Sequence, residues 1–377
     1  MVNSREVLLK LVRLTMGWEM DFSLPKDVVW QEVLTLAQEQ GVSAIVIDGY
    51  EILNKNNPNL MGGLTSSENK GLLLDAIGQT HVIESTYQQH LEALKEVGKI
   101  MGEAGIPFIL MKGFACGQYY PNPRHRACGD IDIYLGDQYD KSNEAFTAAG
   151  IGVDPYYYRH SASFVKGVMV ENHRVLCDLR GPKHQTRALE CQLEDEANGS
   201  IREGEDVVVD NVSIEGAKFP IADFNALFLP WHVSAHFLIE RVTVRHLLDW
   251  ALFLTHEGKS INVEKFRDAK KMYTYGYSKM VDILTNLSLR YLNMPTAGIP
   301  KEIIDDAEGF DNNLADKVFN YMFEGELKER DSRLWKERLN NVKRIWQERW
   351  KYQEIYGMNV LEFLLMKVKG VVFKEGE

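Results

Sequence analysis

Pro107-Phe108-Ile109-Leu110-Met111-Lys112-Gly113 and, after a short loop, Gly129-Asp130-Ile131-Asp132-Ile133-Tyr134-Leu135 are the two runs that decide how this chain is read. The first is apolar over the length of a strand, and its residue types favour a pleated, buried surface. Gly113 then opens a short helix running to Tyr120, a turn whose free backbone N–H groups and dipole suit a phosphate but which also occurs in proteins that bind none. In the second run successive side chains leave the strand on opposite faces, so Asp130 and Asp132 point the same way. Two carboxylates on one face of an apolar strand repel each other and lose hydration unless a cation sits between them. A hard cation such as Mg²⁺ takes oxygen ligands and keeps water or phosphate in its remaining positions. The plain alternative is a solvent-exposed strand end with hydrated carboxylates.

Working outward, the loop Pro121-Asn122-Pro123-Arg124-His125-Arg126 places Arg124 and Arg126 just before the acidic pair, as contacts to a polyphosphate or as surface charge. Further strands are expected at Tyr156–His160, Ser163–Lys166 and Val168–Leu179. In the last of these, Glu171 and His173 share a face. If that strand lies beside Asp130 and Asp132, Glu171 is a third carboxylate or the base that takes a hydroxyl proton, and His173 orients it or touches the donor. Asp178 is the rival third carboxylate. A hairpin is expected over Val207–Ile214, turning at Asp210-Asn211.

Helices flank this centre. A long one is expected over His81–Ala104, ended by Gly105, and another over Tyr139–Ala149, ended by Gly150. Nearer the N-terminus, Trp30, Val33, Leu34, Leu36 and Ala37 repeat near the helical period. From Ile221 onward everything reads as helix, with Phe224–Thr255 kinked or divided by Pro230. His232 and His236 stand four apart on it, but no Glu follows His232, so the HExxH zinc pattern is absent and they read as core or cleft histidines. Arg241, Arg245 and His246 face a phosphate or pair with Asp249. The charged stretch around Trp335, Trp346 and Trp350 reads as an amphipathic packing helix. The division is therefore a helical region over residues 1–78, an α/β core over 79–222 and a helical domain over 223–377, an α+β chain.

The order of these elements resembles the nucleotidyltransferase superfamily that includes polymerase beta-type enzymes, and more closely the bacterial family of uncharacterised nucleotidyltransferases. The resemblance rests on Met111-Lys112-Gly113, Tyr120-Pro121-x-Pro123-Arg124, Arg126, Gly129-Asp130-Ile131-Asp132-Ile133 and Val170-Glu171-Asn172-His173. It continues into the helix with His232, His236 and Leu247-Leu248-Asp249-Trp250, covering about residues 5–260. It implies a nucleotidyltransferase-like mixed β-sheet, with Mg²⁺ (or Mn²⁺) and a nucleoside triphosphate donor. An acceptor hydroxyl would attack the α-phosphate and release pyrophosphate. It makes Asp130 and Asp132 metal ligands, Glu171 the third carboxylate and Gly113 the phosphate-loop glycine. Lys112, Arg124, Arg126 and His173 are turned toward the nucleotide. The superfamily commonly has Gly or Ser directly after that glycine; this chain has Phe114 and lacks the hydroxyl contact to the triphosphate.

Composition bounds the partners. The 377 residues carry 43 Lys+Arg against 54 Asp+Glu, a net charge of −11, which argues against a broad duplex-binding surface. No run of about 18–20 apolar residues predicts a membrane span, and the N-terminus reads as an amphipathic helix, not a signal peptide. Cys116, Cys128, Cys177 and Cys191 form no CxxC pair, the pattern of reduced thiols in a cytoplasmic protein. The acceptor, small molecule or macromolecule, is not written in the sequence. Two other classes remain: a non-catalytic nucleotide-binding module, and a toxin- or antitoxin-like interaction protein working through its helical part.

Overall fold

The computed structural model describes residues 3–57, 63–155, 159–177, 183–239, 241–324, 342–361 and 364. The N-terminal periodicity folds into α1 (Ser4–Thr15), α2 (Trp30–Glu39) and α3 (Ser43–Asn56). The next helix, α4 (Lys70–Glu103), starts well before the expected His81. Its first turns bury only Ala76 before Tyr87, so they leave no apolar stripe for a sequence reading to follow.

Among the described residues seven strands follow: β1 (Phe108–Met111), β2 (Ile131–Tyr134), β3 (Val153–Asp154), β4 (His160–Val165), β5 (Val168–His173), β6 (Asp206–Val209) and β7 (Val212–Lys218). They form one mixed sheet in the order β3-β4-β5-β2-β1-β7-β6. The pairs β1–β7 and β2–β5 are parallel and the others antiparallel. The strand expected from Tyr156 begins at His160, with 156–158 outside the described residues. The last one stops at His173, and Asp178 also lies outside them. The hairpin forms as expected: Asp210 and Asn211 take φ of 49° and 64°, the left-handed pair that a two-residue turn demands and that Asp and Asn tolerate.

Further helices among the described residues are α5 (Gly113–Gly117), α6 (Tyr139–Ala148), α7 (Lys183–Glu203), α8 (Ala222–Ile239), α9 (Val244–Glu257), α10 (Val263–Met272), α11 (Tyr277–Leu292), α12 (Lys301–Glu308) and α13 (Asn312–Glu324), and residues 342–347 are helical too. The expected Phe224–Thr255 helix is two, but Pro230 does not divide it. Pro230 lies inside α8, and the break comes before Thr243, whose extended backbone and hydroxyl form a capping box with His246. Among the described residues of the C-terminal stretch, Trp350 packs edge-on to Phe237 at 5.9 Å, while Trp335 lies outside them.

Strand alternation sorts the core into two layers. Phe108, Leu110, Ile131 and Ile133 face the layer holding Leu91, Leu94 and Val97 of α4 and Phe146 of α6. Ile109, Met111 and Tyr134 face a second, larger core that joins α1–α3 to α7–α9, α11 and α13. Asp130 and Asp132, in phase with Tyr134, therefore point toward the C-terminal helices. Among the described residues no helix is long and apolar enough to cross a membrane.

Candidate active site

Register brings the acidic groups together. Asp132 lies opposite Met111 across the antiparallel β1–β2 pair and opposite Glu171 across the parallel β2–β5 pair. One oxygen each from Asp130, Asp132 and Glu171 lies within 4.8 Å of the other two. Lys112, just past β1, holds φ at 48°, a strained value for a residue with a Cβ, and its Nζ stands 2.6 Å from Asp132 Oδ1. His173 Nε2 donates to the same oxygen at 2.9 Å and lies 3.2 Å from Glu171 Oε2. His160, opposite His173 across β4–β5, brings its Nε2 to 3.6 Å from Glu171 Oε1.

The charges here are unevenly served. Burial pushes the Asp132 carboxyl up, but Lys112 and the His173 hydrogen bond outweigh it and hold the group well below the usual carboxylate range. Burial works to lower Lys112, yet Asp132 and Asp130 raise it, so it stays an ammonium. Burial likewise works against a charged His173, and the bonds to Asp132 and Glu171 raise it. Burial works to raise Glu171, and His173 brings it down. Asp130 is the exception: burial and then Asp132 push its carboxyl up, with Lys112 too weak a counterweight. Three carboxylates face two cations, and the deficit falls on Asp130. This all-oxygen trio fits a hard divalent cation.

A cavity of about 300 Å³ separates this face from α8 and α9. Lys112, Gly113, Asp130 and Asp132 line one side, and His232, His236, Arg245 and His246 the other. The His232 and His236 rings stand 4.4 Å apart. Burial pushes His232 and His246 well below the ordinary imidazole value, with Lys112 and Arg245 adding to it, so both rings are neutral. Arg245 spends Nη1 on the Ala127 carbonyl at 2.8 Å, and its Nε has no hydrogen-bond partner among the described residues. A Cβ at Gly113 would sit 2.9 Å from Cys128 Sγ, so a larger residue there would have to displace that thiol.

The other residues singled out from the sequence lie apart from the acids. Arg126 is buried and forks onto Asp249, Nε to Oδ1 and Nη2 to Oδ2, both at 2.8 Å, while Tyr120 donates its hydroxyl to Asp249 at 2.8 Å. Arg126 still borders the cavity, with its planar head occupied. Arg124 is exposed and pairs with Asp210 at 3.2 Å in the hairpin turn. Phe114 turns its ring from the acids to pack on Tyr87, centroids 4.9 Å apart, in the wall of a second cavity of about 250 Å³ with Val208, Val209 and Phe219. His160 was read only as a strand end. The signal that finds it is the two-residue turn at Lys166-Gly167, whose φ values of 50° and 81° fix the β4–β5 pairing.

A mixed sheet with one carboxylate just before a strand, a second within it and a third on its parallel neighbour, beneath a helical wall carrying Arg245, is the frame of a nucleotidyltransferase-like α+β domain. The chain belongs to the family described as uncharacterised nucleotidyltransferases, whose sequence model matches residues 26–292. The match ends with α11, so it takes in the acidic face and the helical wall of the cavity. No curated protein and no solved structure matches the chain.

Proposed function

We propose that this protein transfers a nucleoside monophosphate from a metal-bound nucleoside triphosphate to an acceptor hydroxyl. The observation that carries the reading is the charge deficit at Asp130, Asp132 and Glu171, whose oxygens lie within 4.8 Å of one another. These three would hold Mg²⁺ or Mn²⁺, which supplies charge neutralisation at the phosphates when bound. The acceptor oxygen bonds the α-phosphorus, pyrophosphate leaves and the hydroxyl proton passes to a carboxylate of the site. The chain's part is to position and to neutralise. Arg245, which lines the helical wall of the cavity, is the cation best placed for a phosphate oxygen. Lys112 serves once a metal replaces it on Asp132, and Gly113 lets backbone come close. His173 keeps Asp132 and Glu171 aimed. Arg126 acts at one remove, by anchoring the loop before Gly129 to α9. Residues 79–222 would form the catalytic core, with the helical regions before and after it shaping the acceptor side.

The test is thermal unfolding with each ribonucleoside triphosphate, with and without Mg²⁺, on the wild type, Asp130→Asn and Asp132→Asn. A ligand at a hundred times its Kd stabilises by about 2.7 kcal/mol. The expected result is a Mg²⁺-dependent shift that both variants lose. No shift with any nucleotide, or one that both variants keep, overturns the reading. Binding without pyrophosphate release in the presence of acceptors supports the non-catalytic module instead, which the Phe114 substitution favours.

A further inference from the structure

We infer that His160, Glu171 and His173 form a second metal site, distinct in chemistry from the carboxylate trio, that takes a borderline divalent ion such as Zn²⁺, Co²⁺ or Fe²⁺. The inference stands whether or not the chain transfers nucleotides.

The sheet builds the site. His160 and His173 are directly paired across β4–β5, so their side chains leave the sheet on the same face, and their rings stand 5.1 Å apart. Glu171, two residues before His173, shares that face and offers one oxygen to each ring: Oε1 lies 3.6 Å from His160 Nε2 and Oε2 lies 3.2 Å from His173 Nε2. One ligand atom from each residue lies within 4.8 Å of the other two. Metal–nitrogen and metal–oxygen bonds of about 2.0–2.2 Å in a tetrahedron place neighbouring donors about 3.4 Å apart, which the two measured separations straddle. Both histidines are buried, so the strands hold the donors before any ion arrives.

Donor type sets the ion. Two imidazole nitrogens and one carboxylate suit zinc and its neighbours in the first transition row, while Mg²⁺ keeps to oxygen. Glu171 belongs to both trios and has two oxygens, so it can bridge a hard ion on Asp130 and Asp132 to a borderline ion on the histidines. Filling the histidine site takes His173 Nε2 from Asp132 Oδ1, which leaves Lys112 as the cation that the hard ion has to replace on that oxygen. The two sites are therefore expected to fill together instead of competing.

The experiment is a Co²⁺ titration of the full-length, chelator-stripped protein, followed by visible absorption, with and without a large excess of Mg²⁺. The expected result is one equivalent of Co²⁺ with visible bands that Mg²⁺ does not displace. His160→Ala should weaken Co²⁺ binding at least about tenfold, while Asp130→Asn should change it less than about threefold. Displacement by Mg²⁺, an unchanged His160→Ala, or an Asp130→Asn loss as large as that of His160→Ala would put the ion on the carboxylates and overturn the inference. A thiolate-to-cobalt band would overturn it too, by pointing to Cys128 or Cys191. A second measurement needs no substitution. In ¹⁵N spectra of the histidine-labelled wild type, one equivalent of Zn²⁺ should move the ring nitrogens of two of the ten histidines; movement of none or of many overturns the inference.

Discussion

Two acidic centres, Asp249 and the Asp130–Asp132 pair with Glu171, lie at the same cavity and meet opposite fates. Asp249 is answered in full: Arg126 forks onto both of its oxygens and Tyr120 adds a hydroxyl. Burial works to raise its carboxyl, and Arg126 outweighs that and holds it below the usual range. Asp130, Asp132 and Glu171 share Lys112 and His173 among them, and Asp130 carries the shortfall. The first cluster is a closed knot joining the loop before Gly129 to α9. The second lacks that balance, and on the proposed reading the missing charge comes from a bound cation. Buried charge is common to both, so incomplete neutralisation is the feature on which the proposed site rests.

The sharpest way to break this contrast is to remove one carboxylate from each cluster. Asp249→Ala leaves the buried Arg126 guanidinium without its partner, which costs about 3–5 kcal/mol. The urea midpoint should fall accordingly, with nucleotide and metal added or not. If Asp249→Ala were as stable as the wild type, the knot would not be structural.

Asp130→Asn should do the reverse. The Asp130 carboxyl is raised, by burial first and by Asp132 second, so its ionised form opposes folding. That penalty sets in as pH climbs through the ordinary carboxylate value and is complete above the raised one. At neutral pH the variant should therefore melt at the wild-type temperature or above it, while its Mg²⁺ response disappears. Melting far below the wild type would show that Asp130 is already compensated and that the two clusters do not differ.

A milder test sits in the loop before Gly129. His125 joins the loop to α3 and α4, with Nδ1 2.6 Å from Asp48 Oδ2 and Nε2 3.1 Å from Glu84 Oε1. The Asp48 hydrogen bond, against burial, raises its pKa above the ordinary imidazole value. A raised histidine stabilises in full below the ordinary value, and the contribution fades as pH climbs through the raised one. Glu84 faces solvent, so the effect should stay below about 1 kcal/mol. Urea unfolding from about pH 5 to about pH 9 should show that decline in the wild type and not in His125→Gln. Parallel curves would remove His125 from the account.

How much of this was written in the sequence follows from the distance over which each feature is decided. Asp130 and Asp132 are two apart on one strand, so their shared face is legible at once. Glu171 is legible only as a conditional, because the pairing of β5 with β2 joins segments far apart in the chain. Arg126 reads as a phosphate ligand because nothing local reveals Asp249, 123 residues away. The helix α7 is hidden in the sequence although Leu189, Leu193 and Ala197 are buried at helical spacing, because the charged residues around them dominate its composition. The break before Thr243 is masked in the sequence because Pro230 is the stronger local signal, while the capping box that starts α9 relies on a histidine in place of the usual Glu or Gln.

Arg124 is where the contrast predicts the least. Read beside Arg126 it looks like half of a phosphate clamp, yet it lies exposed on the hairpin, Nη2 3.2 Å from Asp210 Oδ2. An exposed pair of this kind gains little Coulomb energy against water and loses side-chain entropy, so it contributes about 0.2–1 kcal/mol. Asp210 keeps its left-handed turn without the partner, since the backbone and not the ion pair sets that conformation. Arg124→Ala should therefore shift the urea midpoint only slightly and leave Mg²⁺–nucleotide affinity within about twofold, a change of about 0.4 kcal/mol. A loss of about tenfold or more would mean that Arg124 leaves Asp210 when the nucleotide arrives and that charge from outside the cavity helps to hold the phosphates.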